Sequence, residues 1–182
     1  MACLYEAFPC LHDRGLLLAK MQETDLGQLH KITSDPEIYR FIPPFLYNKS
    51  KGNLLAAIRN LGGRDFDKRK KLVLGVYLDS EPGKLIALAQ VFDYRKRSKS
   101  VTIGYMVERS HWSRGIATSI IALLKDYLLT LEDILVLEAY VLRSNDHSFK
   151  ALEANGFIRL DEDARVEGWG FDGETAAYHY QL

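Results

Sequence analysis

Two cysteines, Cys3 and Cys10, are all that this chain of 182 residues contains, and both fall in its first ten positions. So few thiols exclude a disulfide framework or a cysteine-built metal cluster, and both read as reduced thiols. Long apolar runs are missing as well. None approaches the roughly 20 residues that a membrane-crossing helix needs. The first stretch, Met1 to Arg14, carries Glu6, Pro9 and Asp13 and lacks a basic start followed by an apolar block, so it is no secretory signal and the cytoplasm is the expected compartment. An excess of one charge is absent too: 24 Lys plus Arg balance 24 Asp plus Glu, which excludes a global attraction to nucleic acid or to an anionic membrane. No repeat or low-complexity tract interrupts the chain, and no His, Cys and carboxylate cluster has metal-ligand spacing, so no metal is expected.

What is present suits one soluble domain spanning 1–182, with 1–14 as an N-terminal extension; hydrophobic residues make up 47% and charged residues 26%. The most informative stretch is 101–118. Val101, Ile103, Tyr105 and Val107 alternate with a period of two, as in a strand, while Ile116, Ile120, Leu123, Leu124, Tyr127, Leu128 and Leu131 recur at helical spacing. Between them lies a short loop ending in Gly115. The first amides of the helix have no carbonyl partner within it and sit at the positive end of its dipole, so this junction can hold an anion. Gly115 and Ala117 permit close approach, and Arg114, Ser113 and Thr118 add charge and hydroxyl donors. A capped helix after a turn is the plainer reading of the same residues.

A second apolar run, Ile134 to Leu142, completes a strand, helix and strand crossover, in which ligands sit beyond the carboxyl ends of the strands. Next comes a short helix with Ser144 or Asn145 as N-cap and Asn155-Gly156 as its stop. Both helix N-termini should open near the same edge of the sheet.

Three blocks together resemble the GNAT superfamily of N-acetyltransferases, and within it the Rim-type branch that acetylates ribosomal-protein N-termini. They are Ile103-Gly-Tyr-Met-Val107, His111-Trp-Ser-Arg-Gly-Ile-Ala-Thr118, and Asn145-Asp-His-Ser148 followed by Leu152-Glu-Ala-Asn-Gly-Phe157. The resemblance implies an α/β single-domain fold whose mixed, mostly antiparallel sheet has a splayed central parallel pair and helices on both faces. It implies acetyl-CoA as cosubstrate, with Met106, Val107, Trp112, Ser113, Arg114, Gly115, Ile116, Ala117, Thr118, Asn145 and Ser148 as its binding residues. The general motif begins with Gln or Arg where this chain has Trp112; an aromatic residue there is usual in the Rim-type branch.

Elsewhere, Gly15 to Lys20 reads as a strand, Thr24 or Asp25 as the cap of a helix through Ile32, and Pro36 to Phe41 as a second short helix. Ser50 should cap a helix through Leu61. In the family this helical region arches over the acceptor, which makes Phe41, Phe45 and Tyr47 candidates for a substrate pocket wall, beside the plain alternative of core packing. Leu72 to Leu78 and Leu85 to Phe92 read as a hairpin around Asp79 to Gly83. The basic clusters Lys68–Lys71 and Arg95–Lys99 flank it, and solvated turns are favoured over a nucleic-acid patch. After Phe157, an acidic turn at Asp161–Asp163 should precede two strands, Val166–Phe171 and Thr175–Leu182, joined around Asp172-Gly173.

Acetyl transfer needs a neutral amine, a polarised thioester carbonyl and a proton for the departing thiolate. An N-terminal amine, with a pKa of about 7.7–8.0, is appreciably neutral at cytoplasmic pH, whereas a lysine at about 10.4 is not. Glu138 is the candidate base, because it is a carboxylate inside an otherwise apolar strand and must be paired, exposed or functional. Glu108 is second and is expected to face solvent. By the resemblance, Ser148 serves the thiolate and Asn145 the pantetheine arm, capping being the alternative role of Asn145. Tyr178 and Tyr180 on the last strand are an alternative source of the thiolate's proton, with packing as their plainer role, and neither His111 nor His147 is required. A backbone N–H near Met106 or Val107 should polarise the carbonyl where the central strands part, with Gly104 marking a bulge.

Neither cysteine lies in a motif, so direct attack by the bound amine is expected rather than a covalent acetyl-enzyme. The partners expected are acetyl-CoA and an amine acceptor, favourably a peptide N-terminus, with a monomer or homodimer left open. The alternatives are a non-catalytic acyl-CoA-binding module and a ribosome- or RNA-associated protein.

Overall fold

The computed structural model describes residues 2–164 and 175–181. The alternating run at 101–107 becomes one strand of a sheet built from β1 (Leu11–Asp13), β2 (Leu16–Ala19), β3 (Lys71–Leu78), β4 (Glu81–Arg95), β5 (Ser100–Val107), β6 (Val136–Leu142), β7 (Ile158–Ala164) and β8 (Thr175–Gln181). Their spatial order is β1-β2-β3-β4-β5-β6-β8-β7. All neighbours are antiparallel except β5 and β6. The helices are α1 (Leu26–Ser34), α2 (Lys51–Arg59), α3 (Asp65–Asp67), α4 (Ile116–Leu128) and α5 (Asp146–Glu153).

Strand alternation sorts the core into two layers. Leu72, Leu74 and Val76 of β3 and Ile103 and Val107 of β5 bury against Ile120 and Leu124 of α4 and Leu152 of α5. The opposite face carries Val73, Leu88 and Met106, packed with Leu29 and Ile32 of α1 and Leu54 and Ile58 of α2. This is the period-two pattern of a sheet covered on both sides. Local signals set the helix starts: Ser50 accepts from the Asn53 amide at 3.3 Å, and Asn145 accepts from the Ser148 amide at 3.2 Å. Asp25 is buried, yet its carboxylate accepts from the Tyr77 hydroxyl at 2.6 Å and the Gln22 amide at 2.7 Å, which meets the demand that a buried polar group be bonded.

Several expectations change. The segment ahead of Gly15 is woven into the fold: Leu11–Asp13 pairs with β2, and Leu4 and Tyr5 are buried in the core. The expected helix at Pro36 to Phe41 is a single 3-10 turn, Ile38–Arg40, because the amides of Ile38, Tyr39 and Arg40 bond carbonyls three residues back, at Asp35, Pro36 and Glu37. Asp161–Asp163 is not a turn but part of β7, the outer strand among the described residues, whose register with β8 shifts between Arg159 and Asp163. Gly104 marks no bulge; it faces Gln90 in regular register, and the irregularity in this pair lies between Phe92 and Arg95. The expected strand Val166–Phe171 and the turn at Asp172-Gly173 lie outside the described residues. Within them, β8 pairs with β6 and β7.

The central feature is the brief contact between β5 and β6. They pair only at Ser100–Val136, Val101–Leu137 and Thr102–Glu138. Beyond Thr102, β5 stays with β4 up to Val107, while β6 stays with β8 up to Leu142. A gap therefore opens between Ile103–Val107 and Ala139–Leu142, at the carboxyl ends of both strands.

Candidate active site

Two cavities open on this gap. One, of about 330 Å³, is bordered by Val107, Trp112, Ser113, Gly115 to Thr118 and His147. The other, of about 230 Å³, is bordered by Pro43, Phe45, Lys71, Gln90, Gly104 and Tyr140. They meet at Phe41, Ile42, Tyr105, Met106, Asn145 and Ser148, which line both.

The first cavity is shaped by helix ends. Ser113 (φ 58°) and Gly115 (φ 75°) both take the left-handed conformation, which turns the loop sharply into α4. The first intrahelical bond is Ser119 N–H to Gly115 O at 3.0 Å, so the amides of Ile116, Ala117 and Thr118 precede the helix ladder and are free to bind an anion. The N-terminus of α5 borders the same cavity through Asn145 and Ser148. Asn155 holds the two helices together: its side-chain amide donates to Thr118 O at 3.1 Å and Ala151 O at 2.8 Å.

Trp112 ties the strand end to the loop, its indole N–H donating to Val107 O at 2.8 Å. That bond fixes the direction of the Val107 peptide groups. Glu108 N–H bonds Ile86 O on the β4 side, so by strand alternation Val107 points its N–H and C=O the other way, into the gap. Between the two amides expected to meet a carbonyl, Val107 rather than Met106 has the right orientation. At the junction of the cavities, the Tyr105 hydroxyl donates to Ser148 Oγ at 2.9 Å, and burial raises the Tyr105 pKa. The Ser148 hydroxyl hydrogen is left for a ligand. Asn145 likewise keeps its side-chain amide hydrogens, its oxygen being occupied as the cap.

Of the expected site residues, Ser113, Gly115, Ile116, Ala117, Thr118, Trp112, Met106, Val107, Asn145, Ser148, Phe41 and Phe45 border the cavities. Arg114, Tyr47 and Glu138 border neither. Arg114 is exposed beside the loop. Tyr47 packs on Tyr39 with ring centroids 4.5 Å apart. Glu138 sits at the last paired position, 6% exposed, with both carboxylate oxygens 2.7 Å from Arg95 Nη1 and with Oε2 accepting from the Tyr140 hydroxyl at 2.8 Å. Burial pushes its pKa up, but the hydrogen bonds from Tyr140 and Arg95 and the Arg95 charge outweigh it and hold the group below the usual carboxylate range. Tyr140 in turn borders the second cavity.

Glu108 corrects an expectation. It does not face solvent: it is 4% exposed, paired with Lys31 and 3.1 Å from His111 Nδ1. Burial opposes its charge, yet Lys31, His111 and Lys84 keep it below its ordinary pKa. The turn of Arg109–His111 folds it back under the strand end, which local spacing does not reveal. Sequence reasoning also missed Tyr105 as a partner of Ser148, and Lys71, Gln90 and Thr102 as cavity residues. The strand alternation named Tyr105, but nothing in it showed that α5 would bring Ser148 alongside.

Among the described residues no group of three or more His, Cys, Asp or Glu is placed to hold a metal ion, and no helix is long and apolar enough to cross a membrane.

Comparison with known proteins agrees with this geometry. Residues 15–158 match the Acetyltransferase (GNAT) domain family, and the chain belongs to that family of acetyltransferases. An uncharacterized N-acetyltransferase, p20, of Bacillus licheniformis is 26% identical over 149 residues, covering 81% of each chain. A solved structure of the RimL ribosomal-protein acetyltransferase in complex with coenzyme A superimposes with a TM-score of 0.80 at 13% identity, over 96% of this chain and 98% of that one. The microcin self-immunity acetyltransferase MccE, in complex with acetyl-CoA and AMP, gives a TM-score of 0.78 at 15% identity, over 93% and 94%.

Proposed function

We propose that this protein is an acetyl-CoA-dependent N-acetyltransferase that moves the acetyl group to a primary amine, favourably a peptide N-terminus, by direct attack in a ternary complex. The observation that carries this reading is the parting of β5 from β6 between two cavities that meet at Tyr105 and Ser148. The diphosphate of acetyl-CoA docks on the amides of Ile116 to Thr118, its pantetheine arm runs along β5 past Asn145, and its thioester lies in the gap. Arg114 contributes charge from outside the cavity. Val107 N–H polarises the thioester carbonyl, an electrostatic role that preorganised backbone amides perform well.

The acceptor enters from the other cavity, beneath Phe41 and Phe45. The neutral fraction of the amine attacks the carbonyl carbon. As the N–C bond forms, the ammonium proton becomes strongly acidic and passes downhill through Tyr140 to Glu138, so even a carboxylate with a lowered pKa can take it. The C–S bond breaks, and the thiolate takes the hydroxyl proton of Ser148, which Tyr105 replaces from the hydrogen bond it already makes; Glu138 then gives the amine's proton to solvent and Tyr105 regains one from it. The products are the amide and coenzyme A.

The test is release of coenzyme A thiol with amine-bearing peptides. Intersecting double-reciprocal plots and no acetate trapped on the protein are expected; parallel plots with a trapped acetyl group overturn the direct attack. A rise in melting temperature with acetyl-CoA but no thiol release with any amine would instead mark a cofactor-binding module.

A further inference from the structure

The acceptor cavity has beside it a row of side chains of which the transfer chemistry uses only the last. Lys71, Phe92, Thr102 and Glu138 are successive cross-strand partners on β3, β4, β5 and β6, and so stand on one face of the sheet. The next row on that face runs Val73, Gln90, Gly104. Gly104 borders the cavity without a side chain, and a Cβ there would meet Phe92 Cε1 at 3.4 Å, an ordinary contact.

The polar groups of this region have one character. Lys71 alone carries charge among the residues bordering the cavity. Its Nζ lies 4.9 Å from the centroid of the Phe45 ring, and among the described residues no carboxylate pairs with it. Thr102 is 1% exposed, borders the cavity, and its hydroxyl has no hydrogen-bond partner among the described residues. A buried hydroxyl left unpaired is costly unless a ligand completes it. Gln90 stands diagonally between Lys71 and Thr102 and adds an amide. Glu138, next in the row, is neutralised by Arg95 and does not border the cavity. A cation, an amide and an open hydroxyl around a floor without a free carboxylate suit an anion and repel a polycation.

We infer that this cavity selects acceptors bearing an acidic side chain close behind the amine, with Lys71 as the specificity-determining cation and Gln90 and Thr102 as hydrogen-bond donors to the same group. This rests on the acetyltransferase reading above. Spacing points to a peptide: the row of Lys71 and Thr102 lies four residues before Met106 on β5, roughly 13 Å of strand, with Lys71 two strands to the side on β3. An extended peptide that places its amine at Ser148 brings the side chain of its second or third residue to Lys71.

The experiment compares short peptides with free N-termini that differ only in having Asp, Ala or Lys at positions 2 and 3, together with spermidine and free aspartate. Turnover is measured by thiol release, and binding to the coenzyme A-loaded protein by calorimetry, for wild type, Lys71→Met and Lys71→Glu. The acidic peptide should exceed the neutral one by about tenfold or more in kcat/KM, the scale of a hydrogen bond to a charged group, with KM carrying the difference. Lys71→Met should remove the preference and Lys71→Glu reverse it, while the rise in melting temperature with coenzyme A stays unchanged in both. Equal use of all peptides, a preference for spermidine, aspartate used as well as the acidic peptide, or an acidic preference that survives Lys71→Met overturns the proposal. If nothing is acetylated, the enzymatic reading fails by itself and calorimetry decides: binding that is selective for acid and lost in Lys71→Met upholds the inference, and binding without that selectivity, or none, overturns it.

Discussion

The two ends of the β5 and β6 pair are made of the same kind of residue yet behave oppositely. At the lower end, Ser100 to Thr102 pair with Val136 to Glu138, and the Arg95, Glu138 and Tyr140 cluster closes the sheet with charges satisfied inside the protein. At the upper end, pairing stops, and the Val107 N–H, the Asn145 side-chain amide hydrogens and the Ser148 hydroxyl hydrogen are left facing the cavities, while their oxygens are bonded within the chain. Stability comes from polar groups that find partners within the chain, and binding from those that do not. One strand pair supplies both because it separates part-way along.

That contrast can be broken from either end. The largest expected effect is on turnover at the open end: Ser148→Ala should lower kcat about 100-fold, the scale of general-acid catalysis, while the melting temperature and coenzyme A affinity scarcely move. An equal fall in melting temperature would show that the open end is structural after all.

At the closed end, Glu138→Gln should destabilise the fold by about 1–2 kcal/mol, less than for a fully buried pair because Arg95 is 49% exposed and can turn to water. The pH dependence has a definite sign. Because the folded-state pKa of Glu138 lies below its unfolded value, its stabilisation is complete above the unfolded value of about 4.3 and is lost as pH falls through the folded one. Denaturant melts at falling pH should therefore show a shallower acid-side loss in Glu138→Gln than in wild type; identical slopes would remove the ion pair from the account. The proton-acceptor role given to Glu138 is checked on the same variant, whose kcat should fall by more than its stability explains.

The smallest effect is expected at the loop. Gly115→Ala puts a Cβ on a left-handed residue, costing about 1 kcal/mol, with no neighbouring atom to clash. Coenzyme A should bind a few-fold more weakly in a titration, and unaltered binding would detach the Gly115 conformation from cofactor docking.

Much of the site was legible in local pattern. The strand at 101–107, the switch of period before Ile116 and the Asn145 cap all depend on neighbours within a few residues, so spacing and residue type suffice to place them. The Glu108 burial, the bulge expected at Gly104 and the β1 strand were misjudged for the converse reason. Each depends on partners that local spacing does not show: Lys31 for Glu108, Gln90 for Gly104, and for the first residues the core that buries Leu4 and Tyr5. Trp112 stood out in sequence as a departure from the wider superfamily motif, but its bond to Val107 O is visible only in three dimensions.

By itself the sequence determined the period of each element, the glycine turn into α4, and the family these blocks resemble, because those properties are set by short-range sterics and hydrogen bonding. The tertiary structure alone decided which carboxylates are neutralised by Arg95 and Lys31, that Tyr105 meets Ser148, and that Lys71, Gln90 and Thr102 share one cavity. Those facts follow from strand order and register, which bring residues tens of positions apart within a few ångströms, and no local pattern encodes them.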